Sequence, residues 1–332
     1  MNLREIPKVE LHLHLDCSLS FDVVSRISPE VTVEEYTQRF IAPAKCTNLA
    51  DFLKRAPAGI KLMQTEPQLR LVTEDLFRQL KDDNIIYAEV RFAPLLHTEG
   101  ALRPEDVIDI VEQATVTAIE RTQIEARIIL CTLRHFNRSQ SLETVQLVKR
   151  FRGTKVVGFD IAADEAGYPI DEHIAAFRFA QDHAIPCTAH AGEARGADSV
   201  WETLRQFRPS RIGHGVRSTE DGSLLEHLRK ENIHLEVCPT SNIQTDIYSE
   251  MKEHPIGRLY DMGLSVGVNT DARTLSNTSL TEEYKRLQLT FGWTTEHFLR
   301  CNLNALHSSF LPQPEKRRLI DRLKREYRVL ED

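Results

Sequence analysis

Eight short runs rich in apolar and β-branched residues recur along the chain, separated by longer segments with helical periodicity. The runs cover residues 8–16, 85–94, 126–134, 156–164, 185–193, 211–216, 233–241 and 264–272. Between the second and third runs, residues 104–122 carry apolar side chains three and four positions apart, as an amphipathic helix does. Eight strand–helix units predict a (β/α)8 barrel. No Pro-, Gly- or Ser-rich linker interrupts the series, so we expect a single domain over residues 1–332.

The bulk composition is that of an ordinary globular protein. Of the 332 residues, 41% are hydrophobic and 27% are charged, which is enough apolar material for a large core. The formal net charge is −7, and the basic cluster at 149–155 is short. This balance argues against a nucleic-acid polymer as partner.

The cysteines indicate a reducing compartment. All six are scattered without a C-x-x-C pair, and Cys131, Cys187 and Cys238 lie within apolar runs. We therefore expect reduced, mostly buried thiols in a cytoplasmic protein. No apolar run approaches the ~18 residues of a membrane span, and no signal-like segment precedes the first run, so we expect no membrane contact.

A long insertion of roughly 70 residues separates the first run from the second. Within it, residues 47–63 place Leu49, Phe52, Leu53 and Ala56 on one helical stripe. Such a stripe is usually buried core. Its place after the first strand also suits a lid over the mouth of the barrel, and both interpretations stay open.

The first run, KVELHLHLD, alternates leucines with polar residues. The period of two puts His12 and His14 on the same face of the strand. One interpretation is a half-buried strand with a polar side. The other is a pair of metal ligands held by one rigid strand, which further ligands elsewhere in the chain must complete.

Polar residues end several of the predicted strands. In a (β/α)8 barrel the active site lies at the carboxyl ends of the strands, so these side chains should converge. They are His12, His14 and Asp16 on the first strand, His190 and Glu193 on the fifth, His214 on the sixth and Asp271 on the eighth. Charged groups are rarely buried without a partner, so their shared position indicates a functional site.

Three imidazoles and one carboxylate suit zinc, and we predict His12, His14, His190 and Asp271 as the ligands of one Zn2+ per chain. Zinc makes water a nucleophile near neutral pH. His214 would then orient or deprotonate that water, and Glu193 would exchange a proton with the substrate. The alternative for Glu193 is a structural ion pair. The fourth run, VVGFDIAADE, offers no lysine that could bridge two metal ions, which favours a single-metal site.

The motifs KVELHLHLD, VVGFDIAADE, AHAGE, RIGHGV, VCPTSN and NTD, in this order, resemble the adenosine deaminase family of the amidohydrolase superfamily over nearly the whole chain. The resemblance implies a zinc-dependent exchange of a purine amino group for oxygen, which converts adenosine or deoxyadenosine to inosine or deoxyinosine with release of ammonia. It implies that Glu193 protonates the ring nitrogen beside the reacting carbon and that His214 assists the attacking hydroxide. Asp16, His14 and Ala163 would contact the substrate, with Asp16 at the ribose hydroxyl.

The chain departs from the family pattern at three positions near the substrate. Ala272, followed by Arg273, stands where a second aspartate usually contacts the five-membered ring of the purine. Ala163 stands at an expected glycine whose backbone amide meets the base, and Cys17 stands at another common glycine. These changes leave the metal chemistry intact and alter the set of groups that recognises the base.

Two alternative functions follow from these departures. The first alternative is that the substrate is another 6-aminopurine compound such as aminodeoxyfutalosine, whose carboxylate would need a cation, with Arg273 as a candidate. The second alternative is a catalytically weak barrel that binds a nucleoside, against which stands the full set of metal, acid and base residues. Loop histidines His97 and His135 also lie near the predicted barrel mouth, and we assign neither a catalytic role.

Overall fold

The computed structural model describes residues 2–329. Its strands are β1 (Lys8–His14), β2 (Ile85–Phe92), β3 (Glu125–Leu133), β4 (Val156–Ala162), β5 (Thr188–Ala191), β6 (Arg211–His214), β7 (His234–Val237) and β8 (Val266–Val268). All adjacent strands within β1–β4 and within β5–β8 pair in parallel and in chain order. Each of the eight predicted runs therefore contains a strand.

The two four-stranded sheets join into one closed barrel. Between β4 and β5, the amide of Phe159 donates to the carbonyl of Pro186 at 3.0 Å. Between β8 and β1, the amide of His14 donates to the carbonyl of Asp271 at 2.8 Å. These bonds close the ring, and the predicted (β/α)8 fold is confirmed.

Helices surround the barrel. They are α1 (Phe21–Ile27), α2 (Val33–Phe40), α3 (Leu49–Leu53), α4 (Ala56–Ile60), α5 (Glu66–Asp82), α6 (Pro104–Thr122), α7 (Arg138–Arg150), α8 (Ile174–Asp182), α9 (Ala197–Phe207), α10 (Gly222–Lys230), α11 (Pro239–Gln244), α12 (Ile256–Asp261), α13 (Leu280–Phe291), α14 (Thr295–Ser308) and α15 (Gln313–Val329). Side-chain caps mark many of the starts, as at Ser20 and Asn137, which accept bonds from backbone amides of the first turn. The helix predicted over residues 104–122 is α6.

The segment predicted as one stripe over residues 47–63 forms two short helices. The break falls at Lys54 and Arg55, and Pro57 occupies the first turn of α4, where a missing amide hydrogen costs no helical bond. Leu49 and Phe52 of α3 are buried against Ala272 and Leu275 from the loop after β8. The stripe thus covers the mouth of the barrel, as the lid interpretation requires.

The strands end earlier than the predicted runs because the last residues of each run form loops at the carboxyl end of the barrel. The fifth run, 185–193, contains only four strand residues, and the residues after Ala191 turn into the site. The cysteines at 17, 46, 131, 187, 238 and 301 are all free thiols, as expected. Over residues 2–329, no helix is long and apolar enough to span a membrane.

Candidate active site

The four side chains predicted to hold zinc come together at the carboxyl ends of β1, β5 and β8. Oδ1 of Asp271 lies 3.3 Å from Nε2 of His12 and 3.4 Å from Nε2 of His14. Nε2 of His14 lies in turn 3.2 Å from Nε2 of His190. The Nε2 atoms of His12 and His14 thus lie close to one carboxylate oxygen of Asp271, and the Nε2 atom of His190 lies close to that of His14.

His214, at the end of β6, belongs to the same cluster. One ligand atom from each of His12, His190, His214 and Asp271 lies within 4.8 Å of the others. This group of four contains His214 and leaves out His14, although His14 makes the closer contacts with His190 and Asp271. Because of these shorter distances, His14 stays in the predicted ligand set, and His214 lies beside that set.

The nitrogens in this cluster are suited to a divalent cation. Among residues 2–329, Nε2 of His12 and Nε2 of His214 are buried and have no hydrogen-bond partner. Burial lowers the pKa of His14 to about 3, an effect that Asp271 opposes and His190 reinforces. Leaving such polar atoms unpaired costs about 1–3 kcal/mol each, whereas neutral imidazoles are the form that binds zinc. The residues present therefore fit a bound metal ion.

A layer of buried charges inside the barrel orients two of the histidines. Nδ1 of His12 lies 2.9 Å from Oε2 of Glu236, and Nδ1 of His190 lies 3.1 Å from Oδ2 of Asp160. Such carboxylates beneath histidine ligands fix the ring and its tautomer. Ser241 does the same for the carboxylate of the cluster, because its hydroxyl donates to Oδ2 of Asp271 at 2.8 Å.

The loop after β5, which carries Glu193, is held by the buried carboxylate of Glu165. Glu165 accepts bonds from the backbone amides of four consecutive residues, 192–195, at 2.6–3.0 Å. It also accepts the hydroxyl of Ser199 at 2.6 Å. Gly192 begins this turn at φ +69°, where a Cβ would lie 2.6 Å from the side chain of Val200. The turn therefore requires glycine and places Glu193 rigidly.

Glu193 and His214 face each other at the centre of the site. Oε2 of Glu193 lies 3.2 Å from Nε2 of His214, without the alignment of a hydrogen bond among the described residues. Burial raises the pKa of Glu193 well above its usual range, and the nearby charges of Glu165 and Asp271 raise it further. A raised pKa favours the protonated form of a carboxyl group, which is the form that can act as an acid.

Asn242 fixes the far side of His214. Its Nδ2 lies 3.2 Å from Nδ1 of His214, and its Oδ1 lies 3.2 Å from Nε2 of His254. A side-chain amide nitrogen can only donate, so Nδ1 of His214 accepts and Nε2 carries the hydrogen when the ring is neutral. This tautomer directs an N–H of His214 into the site.

Three residues at the site have a backbone conformation that L-amino acids rarely adopt. They are Ala163 with φ +79°, His214 with φ +60° and Asp271 with φ +63°. Such residues cost about 1–3 kcal/mol each and cluster at functional sites. At Ala163, where the sequence predicted a departure from glycine, the chain keeps the left-handed conformation and tolerates the strain of a methyl group.

A small cavity of about 50 Å³ opens onto the cluster. Its walls are His14, Cys17, Leu49, Phe52, Leu53, Ala162, Ala163, His190, Glu193, His214, Asp271, Ala272 and Leu275. This volume has room for a few water molecules and is smaller than a purine. Leu49, Phe52 and Leu53 of α3 form its apolar cover.

The predicted substrate contacts lie at or beside this cavity. Ala163, Cys17 and Ala272 line it directly. Asp16 precedes Cys17, is buried, and accepts a bond from the amide of Ala93 at 3.2 Å. Burial alone would raise the pKa of Asp16, but the neighbouring imidazoles of His97 and His14 and the hydrogen bond from the amide of Ala93 outweigh it, and the pKa is lowered. Asp16 is thus an ionised acceptor one residue from the cavity wall.

The prediction that Arg273 could bind the carboxylate of a substrate is wrong. Nη2 of Arg273 is 2.7 Å from Oε2 of Glu10 and 3.0 Å from Oδ2 of Asp83, in a buried ion-pair network away from the cavity. Ala272 lines the cavity, whereas the guanidinium of Arg273 lies among these carboxylates. Leu275 supplies the next wall residue.

Neither loop histidine joins the cluster. His97 is buried, with Nδ1 3.1 Å from the carbonyl of Met63 and Nε2 3.8 Å from Oδ2 of Asp16. His135 is exposed and stacks at its edge on Phe136. His97 therefore supports Asp16 from behind, and His135 lies on the surface.

Sequence reasoning missed the charged groups beneath the site, namely Asp160, Glu236, Arg91 and Glu165. The signal for Arg91, Asp160 and Glu236 was present in the strands AEVRF, GFDIA and HLEV, in which charged residues interrupt an otherwise apolar run; Glu165 lies in the loop after β4 and had no such signal. Charges in fully buried strands need partners, and in a barrel these partners are found across the interior.

A barrel whose strand ends carry buried histidines, an aspartate and a carboxyl group of raised pKa is typical of metal-dependent hydrolases. The adenosine deaminase family model matches residues 7–326. An adenosine deaminase of Mycobacterium sp. (strain KMS) is 37% identical, over 99% of this chain and 97% of that protein.

Two solved structures share the fold. The adenine deaminase from Arthrobacter aurescens has a TM-score of 0.89 at 24% identity, over 96% of this chain and 98% of that one. An amidohydrolase from Burkholderia ambifaria, with bound zinc, has a TM-score of 0.90 at 21% identity, over 99% of this chain and 93% of that one. The chain belongs to the adenosine deaminase family and is a hydrolase that acts on cyclic amidine C–N bonds.

Proposed function

We propose that this protein deaminates a 6-aminopurine nucleoside by hydrolysis, converting adenosine or deoxyadenosine to inosine or deoxyinosine with release of ammonia. The observation that carries the proposal is the cluster of His12, His190, His214 and Asp271 within 4.8 Å, facing Glu193 at its edge. The naming of the mycobacterial relative as an adenosine deaminase supports the substrate. One barrel, residues 1–332, would carry the whole reaction in the cytoplasm.

We infer one Zn2+ per chain, held by His12, His14, His190 and Asp271. The Burkholderia structure with bound zinc supports the choice of metal. When bound, zinc would supply the Lewis acidity that makes water a nucleophile at neutral pH. Over residues 2–329, β4 presents no lysine that could bridge a second ion, which supports a single metal per chain.

The protein groups divide the proton transfers between them. His214 presents its Nε2–H to the site and would orient the attacking water by donating this hydrogen to it. Glu193, protonated in its buried position, would donate a proton to the ring nitrogen beside C6. The new C–O bond forms at C6 and the C–N bond to the amino group breaks. Of the two protons of the attacking water, one would return to Glu193 and the other would pass to the amino group, which leaves as ammonia.

The remaining contacts would hold the nucleoside. The carboxylate of Asp16 would accept a bond from the ribose hydroxyl, His14 would contact the sugar side, and the amide of Ala163 would meet the base. The hydrophobic cover of Leu49, Phe52 and Leu53 would exclude water once α3 closes. Aminodeoxyfutalosine loses support as a substrate because Arg273 is engaged elsewhere.

A panel of aminopurines tests the proposal. The zinc-loaded protein is incubated with adenosine, deoxyadenosine, adenine, AMP and aminodeoxyfutalosine, and deamination is followed by ultraviolet absorbance. We expect the two nucleosides to have the highest kcat/KM. Turnover of adenine or aminodeoxyfutalosine alone would overturn the nucleoside assignment, and no turnover of any member would favour a nucleoside-binding barrel instead.

A further inference from the structure

Arg91, on β2, lies inside the barrel directly beneath the histidine cluster and has no exposed surface. Its Nη1 donates to Oδ2 of Asp160 at 2.7 Å, and its Nη2 donates to Oε2 of Glu236 at 2.7 Å. Nη2 also donates to the carbonyl of Leu11 at 2.5 Å, next to His12 in the chain. The guanidinium is therefore fixed between carboxylates from β4 and β7.

Each of these carboxylate oxygens also contacts a histidine of the cluster. Oε2 of Glu236 lies 2.9 Å from Nδ1 of His12, and Oδ2 of Asp160 lies 3.1 Å from Nδ1 of His190. Two chains of contacts thus start at one guanidinium and end at two imidazoles on different strands. An ionised carboxylate accepts only, so each Nδ1 carries the hydrogen and each Nε2 presents a lone pair to the site.

We propose that Arg91 is a positioning residue: through Glu236 and Asp160 it holds the imidazole rings of His12 and His190 at the relative positions that metal binding needs. The guanidinium is planar and its two Nη atoms are a fixed distance apart, so it sets the separation of the two carboxylates. It also offsets the mutual repulsion of two buried negative charges. This inference rests on the proposed metal site and is independent of the substrate.

The two chains of contacts are not equivalent. Glu236 has a second arginine, because Nε of Arg211 lies 2.6 Å from its Oε1. Asp160 has Arg91 as its ion-pair partner, besides the backbone amide of Ile161 at 2.8 Å from Oδ1. Loss of Arg91 should therefore loosen the position of Asp160 and His190 more than that of Glu236 and His12.

The test is the zinc affinity of Arg91→Lys, measured by competition with a chromophoric chelator. Lysine keeps the positive charge but cannot bridge two carboxylates, so we expect zinc to bind about 10–100-fold more weakly than to the wild type. Arg127→Lys is the matched control, because Arg127 is also a buried strand arginine but pairs with Glu125 and Glu315, away from the cluster. Its zinc affinity should equal that of the wild type.

Asp160→Asn provides a second route if Arg91→Lys does not fold. It should weaken zinc binding at least about 10-fold by itself. Adding Arg91→Lys to Asp160→Asn should then reduce the zinc affinity by a smaller factor than Arg91→Lys does in the wild type, because the ion pair between Arg91 and Asp160 is already lost. Equal affinity of the wild type and Arg91→Lys, wild-type affinity in Asp160→Asn, or an equal loss in Arg127→Lys would overturn the role of Arg91. Failure of the wild type itself to bind zinc would instead refute the proposed metal site.

Discussion

The two sides of the small cavity differ in chemistry. On one side, His12, His190 and Asp271 are each held by a second buried polar group, and Glu193 is fixed by the loop that Glu165 organises. The other wall is built from Cys17, Ala272 and Leu275, beneath the apolar cover of α3. The two sets share strands, because Cys17 follows β1, which carries His12, and Ala272 directly follows Asp271 in the loop after β8.

We infer from this contrast that the polar side carries out the reaction and the apolar side selects the substrate. The polar side must place several atoms to within tenths of an ångström, so each group has a dedicated partner. The apolar side recognises shape, and a hydrophobic wall discriminates by only about 1–3 kcal/mol per methylene. Substitutions on the polar side should therefore abolish the reaction, whereas those on the apolar side should shift the choice of substrate.

The largest effect is expected on the polar side from His190→Ala. It removes a predicted ligand whose Nε2 lies 3.2 Å from that of His14, so both zinc and activity should be lost. Metal analysis of the purified protein and adenosine turnover measure the two effects. His135→Ala, which removes an exposed histidine, is the control and should retain one zinc per chain. Two metals per chain in the wild type would contradict the single-metal site.

Glu193→Gln should separate metal binding from proton transfer. The change keeps the shape of the side chain and removes the acid, so zinc should remain while kcat falls by at least ~10²-fold. Glu202→Gln makes the same change on the partly exposed side of α9 and should leave kcat unaltered. Turnover at the wild-type rate in Glu193→Gln would remove this carboxyl group from the mechanism.

Much of the polar side could be predicted from sequence because its residues end the strands. A run such as KVELHLHLD predicts both the strand and the shared direction of His12 and His14. In a (β/α)8 barrel the carboxyl ends of all strands lie at one face, so the residues that end the strands can be predicted to lie together. The layer beneath could not be predicted with the same ease. Glu236 and Arg91 lie within strands, and the period of two does not say which residue across the interior each one meets.

The loop after β8 shows a second limit of sequence reasoning. Ala272 and Arg273 are neighbours, but only the fold reveals that one lines the cavity and the other pairs with Glu10 and Asp83. Asp271, directly before Ala272, has a φ of +63°, which a sequence pattern does not reveal. Similarly, the stripe over residues 47–63 predicted a covering element but not its division into α3 and α4.

Asp16→Asn should produce an intermediate effect, confined to substrates with a sugar. Loss of the ionised acceptor should raise KM for adenosine about 10-fold, as expected for a charged hydrogen bond of about 1.5 kcal/mol. Parallel kinetics with adenine provide the internal control, because adenine has no ribose hydroxyl to lose. An equal change for both substrates would indicate that Asp16 only supports the fold near Ala93.

The smallest effect is expected on the apolar side from Ala272→Asp. The residue lines the cavity, and its wall neighbours Cys17 and Leu275 offer no charge to a ring nitrogen of the base. A carboxylate that reaches the five-membered ring adds about 1.5–3 kcal/mol in favourable geometry, part of which the apolar surroundings remove by desolvation. We therefore expect adenosine kcat/KM to rise by up to about 10-fold, measured by steady-state kinetics on folded, zinc-loaded protein.

The origin of that gain can be isolated with 7-deazaadenosine, which replaces the nitrogen at position 7 of the five-membered ring by carbon. The gain from Ala272→Asp should vanish with this substrate, because no ring nitrogen remains to share a proton with the carboxylate. Ala272→Asn, with the same shape and no charge, should give a smaller gain with adenosine. Equal gains with both substrates, or an unchanged kcat/KM for adenosine, would mean that position 272 contacts the cover of Leu49 and Phe52 and not the base.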